Sequence, residues 1–377
     1  MSALRVGINL LRFDPRALGP AEHALIDCLR AVAADPPADV ELVLFTSRAF
    51  AAVHDDLREA FETHALPVPP GVAVLRVAAE LGWLRLAVGR ARLDVLHDAG
   101  GTSPGGIDVP RIVSVNDLAP LERPRGVGWL RVAYHRRMVP RAVAGARTVV
   151  VPSEFVRDRL VAAVGADPHK IDLVPWPLPP HEEAAPIDTV RARNGIIGQI
   201  VLLPGTTRPE ADHLVAVRAM RHLATRHKET TLVLLGGAGA AERKVQDTVR
   251  SLGLEDRVVR LGDVRPPVRS ALFEHAAVVV YPAVYGGFAH SVLEAMACGV
   301  PVVVADAGAA PELVAGAGAV IPAGDDAQLA VEVHRVLDDR AWRERMVRAG
   351  LDRAREYTAP RAAAGLLATY RSVVAAL

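Results

Sequence analysis

Between Tyr285 and Asp306 the chain reads YGGFAHSVLEAMACGVPVVVAD. Adjacent glycines, Gly286 and Gly287, let a backbone turn sharply and approach a ligand closely. They follow a β-branched run, AVVVYPA (277–283), and precede a helical pattern that starts near His290. The first turn of a helix carries N–H groups with no partner inside the helix and a partial positive charge. Gly287, Phe288, Ala289, His290 and Ser291 are therefore a candidate cradle for a diphosphate, with Ser291 as the cap. Glu294, one turn further in, is placed to accept hydrogen bonds from a ribose diol. The same pattern also has a plain reading, in which Gly-Gly is a turn and Glu294 a surface residue.

Such a cradle needs a strand to aim it and a helix to receive it, and the chain supplies both repeatedly. LRVGIN (4–9), VELVLFT (40–46), VAVLRV (72–77), LDVLH (93–97), RIVSVND (111–117), RTVVVPS (147–153) and KIDLVPW (170–176) read as strands. Longer amphipathic segments such as AEHALIDCLRAVAA lie between most of them. Strands alternating with helices imply a parallel sheet covered on both faces. PWPLPPHEEAAP (175–186) breaks the alternation, because proline fixes φ and removes a backbone donor. The alternation then restarts with QIVLLPG, TLVLLGG, RVVRLGD, AVVVYPA, PVVVAD and GAVIPAG. The expected organisation is α/β: two doubly wound domains, 1–176 and 186–358, joined by a linker at 177–185. A last helix, 359–377, packs back on the first domain. Ligands of such sheets bind beyond the carboxyl ends of the strands, and the cleft between two such domains is the default site. His97, at a carboxyl end in LDVLHDAG, and Asp117, in SVNDLAPLERP, are candidate acceptor-side groups. Either also has a structural reading, His97 as a packed histidine and Asp117 as a cap.

Composition narrows the function classes. The chain has 377 residues, 51% hydrophobic and 23% charged, so it can bury large cores. A formal net charge of +1 argues against nucleic acid as the partner. Cys28 and Cys298 cannot build a disulfide framework, and no Cys/His metal spacing occurs. The start, MSALRVGINLL, lacks signal-peptide features, and no run of 18 apolar residues occurs, so a cytoplasmic protein is expected. From Arg123 to Arg147 there are seven arginines and no acid, with Trp129 and Tyr134 interleaved. That segment is either a solvated basic face or a weak contact for an anionic membrane surface. No strand is followed by GxGxxG with an acid about twenty residues on, which disfavours a dehydrogenase.

GGFAHSVLEAMACGVPVVVAD resembles the nucleotide-sugar motif of the retaining GT-B glycosyltransferases of family 4, in which two glutamates are separated by seven residues. The resemblance puts the second on Glu294, as the ribose contact, and the first on Gly286, where a contact to the transferred sugar is missing. GPAEHALIDCL resembles the family's first glycine-rich loop, with Gly19 near the diphosphate. SVNDLAPLERP resembles its His-Asp-Leu segment, with Asn116 in place of the histidine and Asp117 kept. LLPGTTRPEADHLVAV resembles the segment after Gly205 whose Arg and Lys hold the donor phosphates; Thr206 and Ala211 stand in their places, with Arg208 and Thr207 nearby. The resemblance implies a GT-B fold with two Rossmann-like domains. It also implies retaining transfer from a GDP- or UDP-linked sugar to a small-molecule or glycan acceptor. No metal is expected, because no Asp-x-Asp motif or His cluster appears where the nucleotide would bind. The substituted positions also admit a catalytically weak or inactive homologue that serves as a sugar- or nucleotide-binding partner protein. Oligomeric state is not legible.

Overall fold

The computed structural model describes residues 3–66, 79–124, 128–223 and 226–375. The chain divides into two compact units, Met1–Pro177 with Tyr357–Leu377, and Leu178–Glu356.

Among the described residues of the first unit, seven strands form one sheet. They are β1 (Leu4–Asn9), β2 (Val40–Ser47), β3 (Glu62–Leu66), β4 (Val95–Asp98), β5 (Arg111–Ser114), β6 (Thr148–Val151) and β7 (Ile171–Leu173). The order is β3-β2-β1-β4-β5-β6-β7, and all pairs are parallel. The β-branched runs become these strands because both faces are covered, so Val6, Ile8, Leu44, Val95, Ile112 and Val150 are all buried. The strand expected at 72–77 lies outside the described residues. β3 was not expected, since ETHAL has no apolar alternation. It is an edge strand held by side chains: Arg5 donates to Glu62 at 2.8 Å, and the His64 ring stacks on Phe45 with centroids 5.3 Å apart.

The helix Ala359–Ala375 belongs to this unit. Ala362, Ala363, Leu366, Leu367 and Tyr370 join the core formed by β1, β2 and the helix Pro20–Ala34. Each buried Leu or Tyr contributes up to ~1.5–3 kcal/mol, which exceeds what the surface bonds of Arg371 to Asp39 can add.

In the second unit β8 (Gln199–Pro204), β9 (Thr230–Leu235), β10 (Val258–Leu261), β11 (Ala276–Tyr281), β12 (Val302–Ala305) and β13 (Ala319–Ile321) form a parallel sheet in the order β10-β9-β8-β11-β12-β13. The helices His213–Leu223 and Asp326–Asp338 pack on it through Val215, Met220, Leu329 and Val333. Residues 174–186 have neither helix nor strand. In both sheets the winding reverses beside the first strand, between β1 and β4 and between β8 and β11. The loops after those strands are where a ligand of each unit is expected.

Among the described residues no helix is long and apolar enough to cross a membrane. The helix Trp129–Gly145 buries Val132, Val139, Ala142 and Val143. Its other face exposes Trp129 (75%), Leu130 (65%), Arg131, Arg136, Arg137 and Arg141. Residues 125–127 of the basic segment lie outside the described residues.

Candidate functional site

At the switch point of the second sheet, two loops meet. Gly205 ends β8 at φ +124°, a conformation that L side chains rarely adopt, and donates its N–H to Leu235 O at 2.7 Å. Thr206 and Arg208 follow. Thr206 is half-buried, and its hydroxyl bonds no described residue. Arg208 is exposed, and its guanidinium pairs with no described residue. A turn of 3-10 helix, Pro209–Ala211, leads to Asp212, whose φ of +45° an aspartate tolerates. Burial pushes the Asp212 carboxyl up. The carbonyl of Glu210 accepts from Val284 N at 2.8 Å, which ties this loop to the one after β11.

Thr207 does not offer its hydroxyl to a phosphate, as its place in the sequence suggested. It is fully buried, donates to Glu242 Oε2 at 2.6 Å and accepts from Gly239 N at 2.8 Å. Glu242 in turn takes the Arg260 guanidinium at 3.1 Å, and these bonds hold its carboxyl below the usual range against the opposing effect of burial. Thr207 therefore latches the 205–208 loop to the 236–241 loop.

After β11 the chain passes through Tyr285, Phe288 and Ala289, all buried. Gly286 is held from both sides: Ala309 N donates to its carbonyl at 3.0 Å, and a Cβ on the facing Gly308 would lie 3.0 Å from its nitrogen. The place where the family motif has a glutamate is close to a tyrosine, for a Cβ on Gly286 would lie 3.1 Å from Tyr281 Oη. The helix His290–Ala297 begins at Ala289, with no side-chain cap and no acidic residue in its first turn. Ser291 is the second helical residue and does not cap it; its backbone is already helical, whereas a cap residue is not. His290 packs edge-on against Phe288, centroids 5.8 Å apart.

Glu294 already has a partner within the second unit. Arg269, on the helix Pro266–Glu274, grips both of its oxygens: Nε to Oε1 at 2.9 Å, and Nη2 to Oε2. The Arg269 guanidinium also lies over the Phe273 ring, 4.7 Å from its centroid. A carboxylate has about four acceptor positions, so Arg269 leaves room for two further donors while fixing the group's direction. Nothing local in the sequence pointed to Arg269 or Tyr281.

In the first unit the sequence-predicted residues separate. His97 does not face an acceptor. It is fully enclosed, with Nδ1 2.9 Å from Tyr370 Oη and Nε2 2.7 Å from Ser114 Oγ. Burial pushes its pKa down to about 4, so it is a neutral packing residue joining β4 to β5 and the last helix. The next residue is Asp98. It is equally buried, accepts from Asn9 Nδ2 at 2.8 Å and from Ser103 Oγ, and organises the loops at the β1/β4 switch point. Asn116 is half-buried just beyond β5. Asp117 is exposed and accepts from Ala119 N at 2.6 Å, which starts the short helix Ala119–Glu122. Gly19 precedes the helix Pro20–Ala34, but its N–H goes to Glu22 Oε2 at 3.0 Å and is not left for a phosphate.

A groove of 630 Å3 crosses the opposite edge of the second sheet, lined by Gln199, Ala276, Pro301, Arg343 and Arg348. It lies where β8 and β11 start, away from the glycine turns and the helix start, so size alone does not make it the site.

The chain matches the family model Glycosyl transferases group 1 over residues 189–353 and the model Glycosyltransferase Family 4 over residues 23–181. It is 30% identical over 243 residues to a D-inositol 3-phosphate glycosyltransferase of Frankia alni, a match covering 61% of this chain and 60% of that one. A protein of the same name from Acidothermus cellulolyticus is 30% identical over 332 residues, 80% of this chain and 71% of the other. The match thus spans less than two thirds of the first relative's length. Anabaena HepE, solved with UDP and glucose, superposes with a TM-score of 0.72 over 98% of this chain and 100% of that one; at 19% identity the likeness is one of fold. The glycine turns and the Glu294 motif fall within the group 1 match, and the chain belongs to the group 1 glycosyltransferases of the GT-B fold.

Proposed function

We propose that the chain transfers a sugar, with retention, from a GDP- or UDP-linked donor to a small-molecule or glycan acceptor. One observation carries the reading. At the β8/β11 switch point a glycine turn, an Arg208 that pairs with no described residue, the Thr206 hydroxyl and a helix start without a side-chain cap are tied into one edge, and each can meet a diphosphate. Glu294, aimed by Arg269, takes the ribose diol. In the transfer, the helix start and Arg208 stabilise the leaving diphosphate as its charge develops. Asn116 and Asp117, at the carboxyl edge of the first sheet, serve the acceptor. Thr206 and Ala211 stand where the family motif has cations, and Gly286 where it has a glutamate, which fits altered donor handling. The relatives named for inositol 3-phosphate and the Anabaena protein solved with UDP favour a UDP-linked donor and a phosphorylated polyol among the acceptors.

The test is release of free nucleoside diphosphate from a panel of GDP- and UDP-sugars, with no added metal, with and without inositol 3-phosphate and simple glycans. Gly286 is not in the left-handed region, so a glutamate fits the backbone if the Tyr281 hydroxyl gives by a few tenths of an ångström. It would bring a half-buried charge that the native donor does not match, at a cost of ~1–3 kcal/mol. Turnover by the parent that falls in Gly286→Glu supports the proposal. A silent parent that gains transfer in the Gly286→Glu, Asn116→His double variant overturns it in favour of a non-catalytic binding homologue.

A further inference from the structure

The second unit gathers another set of groups at the opposite edge of its sheet. His227 follows the helix His213–Leu223 and precedes β9, so it lies where the strands start. His334 and Asp338 are four residues apart on the helix Asp326–Asp338 and share one face of it. One ligand atom from each of the three residues lies within 4.8 Å of the others. The His227 and His334 rings are 4.8 Å apart between centroids, and His227 Nε2 is 3.6 Å from Asp338 Oδ1.

Two features separate this cluster from ordinary surface pairing. His227 Nε2 and His334 Nδ1 are buried and hydrogen-bond to no described residue. Buried ring nitrogens are normally satisfied, so two facing each other point to something that binds both. The orientation is also fixed from behind. Arg226 takes Asp338 Oδ2 at 2.9 Å and so turns Oδ1 toward the imidazoles. Arg226 is 70% exposed, so its charge is screened and does not exclude a cation nearby.

We propose that His227, His334 and Asp338 form a site for one divalent cation of the zinc class, independent of the transfer site, which pins the segment after the helix His213–Leu223 to the helix Asp326–Asp338. Two imidazole nitrogens and one carboxylate oxygen suit a borderline-soft cation better than a hard one such as magnesium. Bonds of about 2.0–2.2 Å place tetrahedral ligand atoms about 3.4 Å apart. The His227–Asp338 separation is already close to that, and small side-chain rotations bring in His334.

The experiment uses the full chain without a polyhistidine tag, stripped of metal and freed of chelator, and titrated with zinc chloride by calorimetry. One site of micromolar affinity or better is expected, with a rise in melting temperature. Binding should weaken by about tenfold or more in His334→Gln and in His227→Gln, and by less in Asp338→Asn. Circular dichroism matching the parent shows that the variants are folded. No zinc binding by the parent, or unchanged binding in a folded double glutamine variant, overturns the proposal.

Discussion

The two sheets wind the same way and reverse at the same point, yet their carboxyl edges differ in what they leave open. In the first unit the edge satisfies itself. Glu22 covers the Gly19 N–H, Asn9 and Ser103 cover Asp98, and Tyr370 and Ser114 cover both nitrogens of His97. In the second unit the polar bonds lie behind the edge, in the latch of Thr207 to Glu242 and Gly239 and the pair of Arg269 with Glu294. At its front, Arg208 and the Thr206 hydroxyl bond no described residue, and no side chain caps the helix at Ala289. Shared topology therefore does not distribute function evenly. The edge where a guanidinium and a hydroxyl bond no described residue, beside a helix start, is the one suited to an anion.

The largest expected effect tests the closed edge. Folded His97 stays neutral down to about pH 4, whereas in the unfolded chain it takes a proton near pH 6.5. Between those values the unfolded state binds more protons, so stability falls as pH falls, by ~3 kcal/mol across the window. His97→Gln removes that titration. Its melting temperature should decline less steeply than the parent's between pH 7 and pH 4.5, and parallel curves would break the assignment.

On the open edge, Glu294→Ala should weaken nucleotide binding by ~1.5–3 kcal/mol, the usual loss for a charge-assisted hydrogen bond. Because Arg269 is 38% exposed, its orphaned charge is screened and stability should change little. Arg269→Ala should weaken binding less than Glu294→Ala, since it only aims the carboxylate. Calorimetric affinities for UDP and GDP in both variants check this, and the reverse order would assign the ribose contact elsewhere.

The latch comes next. Thr207→Val leaves the Gly239 N–H without its partner, while Glu242 Oε2 keeps Arg260, at a cost of ~1–3 kcal/mol. For a unit of this size that lowers the melting temperature by about 2–4 °C per kcal/mol. An unchanged melting temperature would show that the two loops do not depend on the bond.

Much of this was legible in the sequence, because it is local. β-Branched runs between amphipathic segments gave the strands, and adjacent glycines before a helix marked the second edge. What was missed depends on residues far apart in the chain. His97 reads as a strand-end histidine until the last helix returns and puts Tyr370 against it, 273 residues away. Glu294 reads as a ribose contact or a surface residue, and its partner Arg269 comes from a different helix. Ser291 reads as a cap because it is a serine near a helix start, but the helix begins one residue earlier. β3 has no apolar pattern, since an edge strand held by Arg5 and Phe45 does not need one.

The central claim is that the second edge, and not the first, meets the diphosphate. Calorimetric titration of UDP and GDP into the full chain, with no added divalent metal, tests it with two substitutions. Arg208→Ala removes the outward cation of the second edge, and Glu22→Gln removes the charge at the first helix start while keeping its cap. One-to-one binding of at least one nucleotide is predicted, weakened about two- to fivefold by Arg208→Ala and unchanged by Glu22→Gln. No binding of either nucleotide, or an affinity that moves with Glu22→Gln and ignores Arg208→Ala, would contradict the account.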